Sequence, residues 1–207
     1  MSYSVNEIFG PTLQGEGART GTVNYWLRFA GCNLRCSAIV EGFDCDTDFS
    51  GGRKMEAAEI VAELVKLGAG KNAWIVVSGG EPSLQIDADL VAALKGAGFY
   101  IAIETNGTHG LPEGIDWISV SPKTAEHTLR VVDETEDRMH VDELRYVRAS
   151  GQALPKPQLQ ADYYFISPAF EADGSLKRGT LEWCKELVLG SPTWRLSVQT
   201  HKLLGVR

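Results

Sequence analysis

The stretch Trp74-Ile75-Val76-Val77-Ser78-Gly79-Gly80-Glu81-Pro82 decides the fold class. Four apolar residues in a row, stopped by paired glycines and a proline, read as a strand buried on both faces, the habit of parallel sheets. Similar apolar, β-rich segments lie at residues 24–30, 100–104, 117–121, 163–167 and 195–198. Each reads as a strand. Helical spacing fills some of the gaps. Residues 57–67 repeat apolar side chains at Ile60, Val61, Leu64 and Val65, residues 88–97 do so at Leu90, Val91, Ala93 and Leu94, and residues 180–189 form a third such segment. Strands alternating with helices define an α/β protein with a largely parallel sheet. The helices are too few for an eight-fold barrel at 207 residues, which leaves an incomplete barrel or an open wound sheet. Both place ligands at the carboxyl ends of the strands.

With 43% apolar and 23% charged side chains, the chain has an ordinary globular composition and enough length for one core, and no repeat or linker divides it. A formal charge of -7 argues against a broad phosphate-binding face, so no nucleic-acid partner is expected. No apolar run reaches membrane-spanning length and the first residues lack a signal-peptide pattern, so the expected location is the cytoplasm, with no membrane partner. Residues 124–150, which include the run Asp133-Glu134-Thr135-Glu136-Asp137-Arg138, read as a charged, solvated excursion from the single domain 1–207.

Cys32, Cys36 and Cys45 crowd one stretch directly after the strand at 24–30, while Cys184 stands alone inside a helical pattern. Three clustered thiols in a reducing compartment point to a metal or cluster rather than a disulfide. Zinc calls for a fourth protein ligand, with Cys184 the candidate, whereas a 4Fe–4S cluster can leave one iron free for a small molecule. As a residue of a helix, Cys184 otherwise reads as a small buried apolar side chain. The Gly79-Gly80 turn allows close approach of backbone to a ligand.

The Cys loop with Gly79-Gly80-Glu81-Pro82 resembles the radical S-adenosylmethionine superfamily, although the spacing here is Cys-x3-Cys-x8-Cys where that superfamily usually has Cys-x3-Cys-x2-Cys. Further motifs narrow the match. Ile8-Phe9-Gly10-Pro11-Thr12-Leu13-Gln14-Gly15-Glu16-Gly17, Cys45-Asp46-Thr47, Glu104-Thr105-Asn106-Gly107, Ser121-Pro122-Lys123 and Ser197-Val198-Gln199-Thr200-His201-Lys202 are similar to those of the 7-carboxy-7-deazaguanine synthases. The resemblance spans nearly the whole chain and covers the charged stretch after Lys123 poorly. It implies a partial β/α barrel that contracts the ring of 6-carboxy-5,6,7,8-tetrahydropterin, with loss of ammonia, to give 7-carboxy-7-deazaguanine for queuosine and 7-deazapurine biosynthesis. The implied cofactors are a 4Fe–4S cluster, S-adenosylmethionine and Mg2+, the implied partners a flavodoxin-like electron donor and a second copy of the chain in a homodimer.

The resemblance also assigns residues. Cys32, Cys36 and Cys45 are expected to ligate the cluster and Thr47 the magnesium ion, with Asp46 and Asp48 as rivals on charge. Phe43, Gly79, Gly80, Glu81, Ser121, Pro122, Lys123 and the turn Ser167, Pro168, Ala169, Phe170 fall where S-adenosylmethionine contacts are expected. Leu13, Gln14, Gly15, Glu16, Arg28, Ser78, Gln199, His201 and the C-terminal carboxylate of Arg207 are assigned to the substrate. The planar donor fork of Arg28 suits a carboxylate. Gln199 and His201 are expected to end the last strand, and no side chain is assigned as acid or base. Two other readings remain open at this point: a radical enzyme that activates a glycyl-radical protein, and a zinc-stabilised module using all four thiols.

Overall fold

The protein is described by a computed structural model covering residues 1–37, 41–45, 47–123, 140–171 and 173–206. Nine strands form one sheet: β1 (Ser2–Leu13), β2 (Val23–Phe29), β3 (Arg53–Glu56), β4 (Trp74–Gly79), β5 (Tyr100–Thr105), β6 (Trp117–Val120), β7 (His140–Arg148), β8 (Gln160–Pro168) and β9 (Trp194–Leu196). Their order is β3-β1-β2-β4-β5-β6-β7-β8-β9. β1 runs antiparallel to both neighbours, and every pairing from β2 to β9 is parallel. The edge strands β3 and β9 do not meet, so the barrel is incomplete, as expected.

Four helices are described: α1 (Ala57–Lys66), α2 (Ala88–Gly96), α3 (Thr180–Leu189) and α4 (Thr200–Leu204). Each long helix starts or packs where the sequence dictates. Glu56 and Glu59 form a capping box at α1, and Asp87 accepts from the Leu90 amide at 2.9 Å to cap α2, satisfying donors a helix start leaves free. Ile60, Leu64, Leu90 and Leu94 bury against Leu27, Phe29, Ile75, Val77, Ile101 and Ile103 of the sheet. A second cluster unites Val120, Leu144, Tyr146, Ile166 and Trp194 with Cys184 of α3. No helix joins β5 to β6 or β7 to β8, which is why the helix count falls short of a full barrel.

The charged excursion needs correction. Residues 124–139 lie outside the described ones, but His140–Arg148, taken as part of that excursion, is β7 in the middle of the sheet, between β6 and β8. Its charges hid it. Leu144 and Tyr146 face the α3 cluster, while Glu143 and Arg145, though charged, are buried on the opposite face beside other charged groups. β1 and β3 also escape the apolar pattern, since β1 alternates only at Tyr3 and Val5. The last strand is shorter than expected: it stops at Leu196, and Gln199 and His201 stand at the start of α4 instead of ending a strand.

Because Leu144 is fully buried and Leu189 is 85% exposed, the two leucines should respond differently to truncation. Leu144→Ala is expected to lower the unfolding free energy by about 2–5 kcal/mol and Leu189→Ala by less than about 0.5 kcal/mol, measured by denaturant titration. Equal small losses would return β7 to the surface.

Candidate active site

The carboxyl ends of the parallel strands open onto a cavity of about 190 Å³. Its wall contains Cys32, Cys36 and Cys45 from the loop after β2, and Ser78, Gly79 and Gly80 from the end of β4. Glu104, Thr105 and Asn106 come from β5 and its end, Ser121 and Lys123 from the segment after β6, Arg145 and Val147 from β7, and Ser167, Pro168 and Phe170 from β8 and just beyond. Phe43, Thr47, Glu16 and Gln199 complete the set of expected residues that line it.

The Gly-Gly turn has a cause that the sequence did not show. A Cβ on Gly79 would stand 2.1 Å from the Phe29 carbonyl oxygen, and one on Gly80 would stand 2.1 Å from that of Gly31. The glycines therefore let two backbones touch: Gly80 N–H donates to Phe29 O at 3.1 Å and Glu81 N–H to Gly31 O at 2.9 Å. The contact extends the β2–β4 ladder into the Cys loop. Glu81 itself does not reach the cavity. It is fully buried, and its carboxylate accepts from Thr105 Oγ1 at 2.5 Å, the Asn106 amide at 2.7 Å and the Ser83 amide at 2.9 Å, fixing the end of β5. Asn106 in turn donates to Asn33 Oδ1 at 3.0 Å, a second tie to the Cys loop.

The far part of the loop is tied down at the carboxyl ends of β7 and β8. Phe43 packs with Ala149, Ala169 and Val147, Gln152 Nε2 donates to Glu41 O at 3.0 Å, and Lys177 Nζ to Gly42 O at 3.2 Å. Ala169 is thus a packing residue beneath the cavity, and Pro122 also lies outside its lining.

Burial pushes the Cys32 and Cys36 thiols up. The Leu34 amide, 3.4 Å from Cys32 Sγ, and the Lys123 charge oppose this and favour thiolates. Among the described residues no three His, Cys, Asp or Glu side chains converge on the position of a single metal ion. Three thiols around one cavity instead suit a multi-iron centre, which takes each thiolate at a separate iron. Cys184 lines no part of it. It is fully buried, 3.7 Å from Arg148 O, and burial pushes its thiol up to about 11. The four-thiol zinc reading loses its fourth ligand to the core.

The substrate-assigned residues divide. Glu16 and Ser78 line the cavity. Gln14 lies behind it and donates to Glu104 Oε1 at 3.1 Å, while Leu13 ends β1. Gly15 O accepts from both the amide and the hydroxyl of Thr200 at 3.0 Å, and a Cβ at Gly15 would collide with His201 Nδ1. His201 therefore braces the loop after β1. Arg28 sits across the ladder from Ser78, but its Nη1 is 2.7 Å from Glu7 Oε1 and it does not line the cavity. Asp48 lies outside the lining and accepts from the Ser50 amide at 2.9 Å and its hydroxyl at 2.6 Å, which holds its carboxyl below the usual range. Asp46 and Arg207 lie outside the described residues. Glu104 and Asn106, quoted in a family motif but given no ligand role, also line the cavity, as does Arg145, which sequence reasoning missed because it follows the acidic run.

The fold superposes on the crystal structure of QueE from Escherichia coli with a TM-score of 0.68, at 22% identity, over 96% of this chain and 94% of that one. No protein-family model matches. Over the full length of both chains, the sequence is 40% identical to 7-carboxy-7-deazaguanine synthases from Bacteroides thetaiotaomicron and Bradyrhizobium diazoefficiens. The chain belongs to the 7-carboxy-7-deazaguanine synthase family. A more distant synthase, from Haemophilus influenzae, is 34% identical over 99% of this chain and 94% of its own. The reaction is the radical ring contraction of the queuosine pathway, and a radical S-adenosylmethionine enzyme of this family carries a 4Fe–4S cluster and S-adenosylmethionine. The glycyl-radical activase reading is not favoured.

In this synthase Gly80→Ala forces a methyl group onto the Gly31 carbonyl. The variant is expected to lose about 1–3 kcal/mol of stability and to take up less iron on reconstitution, by thermal unfolding and iron analysis. Native stability and iron content would show that the Cys loop follows another path.

Proposed function

We propose that this cavity is where 6-carboxy-5,6,7,8-tetrahydropterin loses ammonia to become 7-carboxy-7-deazaguanine, with Cys32, Cys36 and Cys45 holding the cluster. The observation that carries the reading is that three thiols, the strand-end turns and a set of carboxylates line one cavity at the carboxyl ends of parallel strands. When bound, the cluster and S-adenosylmethionine supply the radical that takes hydrogen from the substrate. The chain's own work is binding and orientation. Gly79, Gly80, Ser121, Lys123 and the Ser167-Pro168 turn face S-adenosylmethionine, with Lys123 Nζ tethered 2.9 Å from Ser121 Oγ. Glu16 and Glu104 offer carboxylate acceptors to the N–H-rich pterin edge, a charge-assisted pairing stronger than a neutral one.

Arg28 is assigned to the substrate carboxyl. Its Nη1 is 2.7 Å from Glu7 Oε1 and outside the cavity lining, so this role requires the guanidinium to leave Glu7 and turn into the cavity. Thr47 presents a neutral hydroxyl on the cavity wall beside Cys45, suited to a hydrated magnesium ion shared with the substrate carboxyl. Among the described residues no helix is long and apolar enough to cross a membrane. A cytoplasmic location, a flavodoxin-like electron donor and a homodimer complete the reading, supported by the thiol chemistry and the family resemblance.

In the reconstituted, anaerobic enzyme, mass detection should show the product with wild type, and Cys32→Ala, Cys36→Ala and Cys45→Ala should each lose iron and turnover. Cys184→Ala should keep both. Full iron in Cys36→Ala, or its loss in Cys184→Ala, overturns the ligand assignment. Thr47→Ala should lower turnover by roughly tenfold or more, as expected when a metal site loses an ordering contact, and leave S-adenosylmethionine binding intact. An unchanged rate and magnesium titration would remove Thr47 from the site.

A further inference from the structure

Arg145 is 5% exposed, stands in mid-strand on β7 and lines the cavity. Three carboxylates from three different elements surround it. Its Nη2 is 2.8 Å from Glu104 Oε1 on β5, its Nη1 is 3.2 Å from Glu16 Oε2 in the loop after β1, and its Nε is 3.3 Å from Glu143 Oε1 on β7. Burial alone favours the neutral guanidine, but the three carboxylates, Glu104 foremost, outweigh it and hold the group charged. The Nε contact is an ion pair without an aligned hydrogen bond.

The partners differ in what else they do. Glu143 is a structural acceptor, bound by Ser119 Oγ at 2.7 Å and the Ala18 amide at 2.8 Å. Glu16 and Glu104 instead line the cavity, and each uses one named oxygen on Arg145. A carboxylate has two oxygens and about four acceptor positions, so a contact to one oxygen restrains the group without using all of those positions. The two are far apart in sequence, and this one guanidinium binds both. Its planar fork directs separate N–H groups along fixed directions, which a point-like ammonium cannot do.

The geometry points to Arg145 as the positioning residue that sets the mutual orientation of Glu16 and Glu104, and so the enzyme's affinity for the pterin edge. This rests on the reading above that those two carboxylates meet the substrate. Arg145 touches no reacting atom in this role; it acts through the two glutamates. Without the guanidinium between them these two neighbouring carboxylates would repel each other, and a displacement on the order of 1 Å is enough to cost a positioned ligand a large factor.

The test is calorimetric titration of the anaerobic holoenzyme, with its cluster oxidised so that no turnover occurs and S-adenosylmethionine present, by 6-carboxy-5,6,7,8-tetrahydropterin. Arg145→Lys keeps the charge and removes the fork. It is expected to weaken pterin binding about tenfold or more, while iron content and S-adenosylmethionine affinity stay near native. Because removing one partner from a buried ionic group can unfold the chain, a second variant guards against misfolding. Arg145→Met combined with Glu143→Gln removes one charge of each sign and is expected to show the same pterin-selective loss. Native pterin affinity in either variant overturns the inference, as does a parallel loss of iron and S-adenosylmethionine binding in both, which marks a purely structural residue. Glu16→Gln and Glu104→Gln separate the two layers of the argument. If they weaken pterin binding and the Arg145 variants do not, the inference alone falls; if they leave it native, the reading of the carboxylates falls first.

Discussion

Two backbones touch where β2 and β4 leave the sheet, and the rest of the site is arranged around that contact. Phe29 and Gly31 on one side and Gly79 and Gly80 on the other approach until no Cβ fits between them. The parallel ladder therefore continues past its last regular pair, and the thiol-bearing loop leaves the sheet in a fixed direction. Glu81, the next residue, turns away and binds the end of β5 with both carboxylate oxygens. Three strand ends are thus locked by a few hydrogen bonds. A buried carboxylate accepting only charge-assisted bonds tolerates little displacement, which makes this corner the rigid support for the Cys loop.

The sheet is polar where it is concave and apolar where it meets the helices. Leu27, Ile75, Val77, Ile101 and Ile103 turn outward to α1 and α2, whereas Ser78, Glu104, Arg145 and Ser167 turn inward to the cavity. An incomplete barrel gives that inner face room, since no ring of side chains fills it as in a closed barrel. The cost is burying charge, offset by the cage of carboxylates around Arg145 and by Arg19, whose guanidinium stacks 3.7 Å over the Trp74 ring and donates to Asn24 Oδ1 at 2.7 Å.

The strands that the sequence displays are those with two apolar faces. β4, with Ile75, Val76 and Val77 all buried, is the clearest, and β2, β5 and β8 follow. β7 carries the same structural weight, but one of its faces belongs to the site. Its Glu143 and Arg145 need partners from β5 and the first loop, and such distant pairings leave no local pattern to read. β1 buries only Tyr3 and Val5 among its side chains and pairs along its length with β2 and β3, which gives it no apolar run to read. The thiols stood out by their clustering, and Ser78, Ser121 and Ser167 through the family resemblance; all of them line the one cavity. Glu81 and His201 show the limit. Both stand in motifs that point to ligands, yet both spend their contacts on neighbouring loops, a difference that only the folded chain reveals.

The clasp between Gly15 and Thr200 has a consequence for how this protein comes into being. It joins residues 185 positions apart, and the hydrogen bond from the Gly17 amide to Ser197 Oγ, at 2.9 Å, spans 180. The two halves of the wall that carries Glu16 are therefore made far apart in synthesis, the second some 180 residues after the first. Loop closure over such distances is slow and comes after local structure. The loop between β1 and β2 can pair its charges once β7 is made, but its Gly15 carbonyl waits for Thr200 of α4. Completion of this wall is in this sense a late, long-range event, and a chain lacking Ser197 and Thr200 would hold most of its core and lack the clasp.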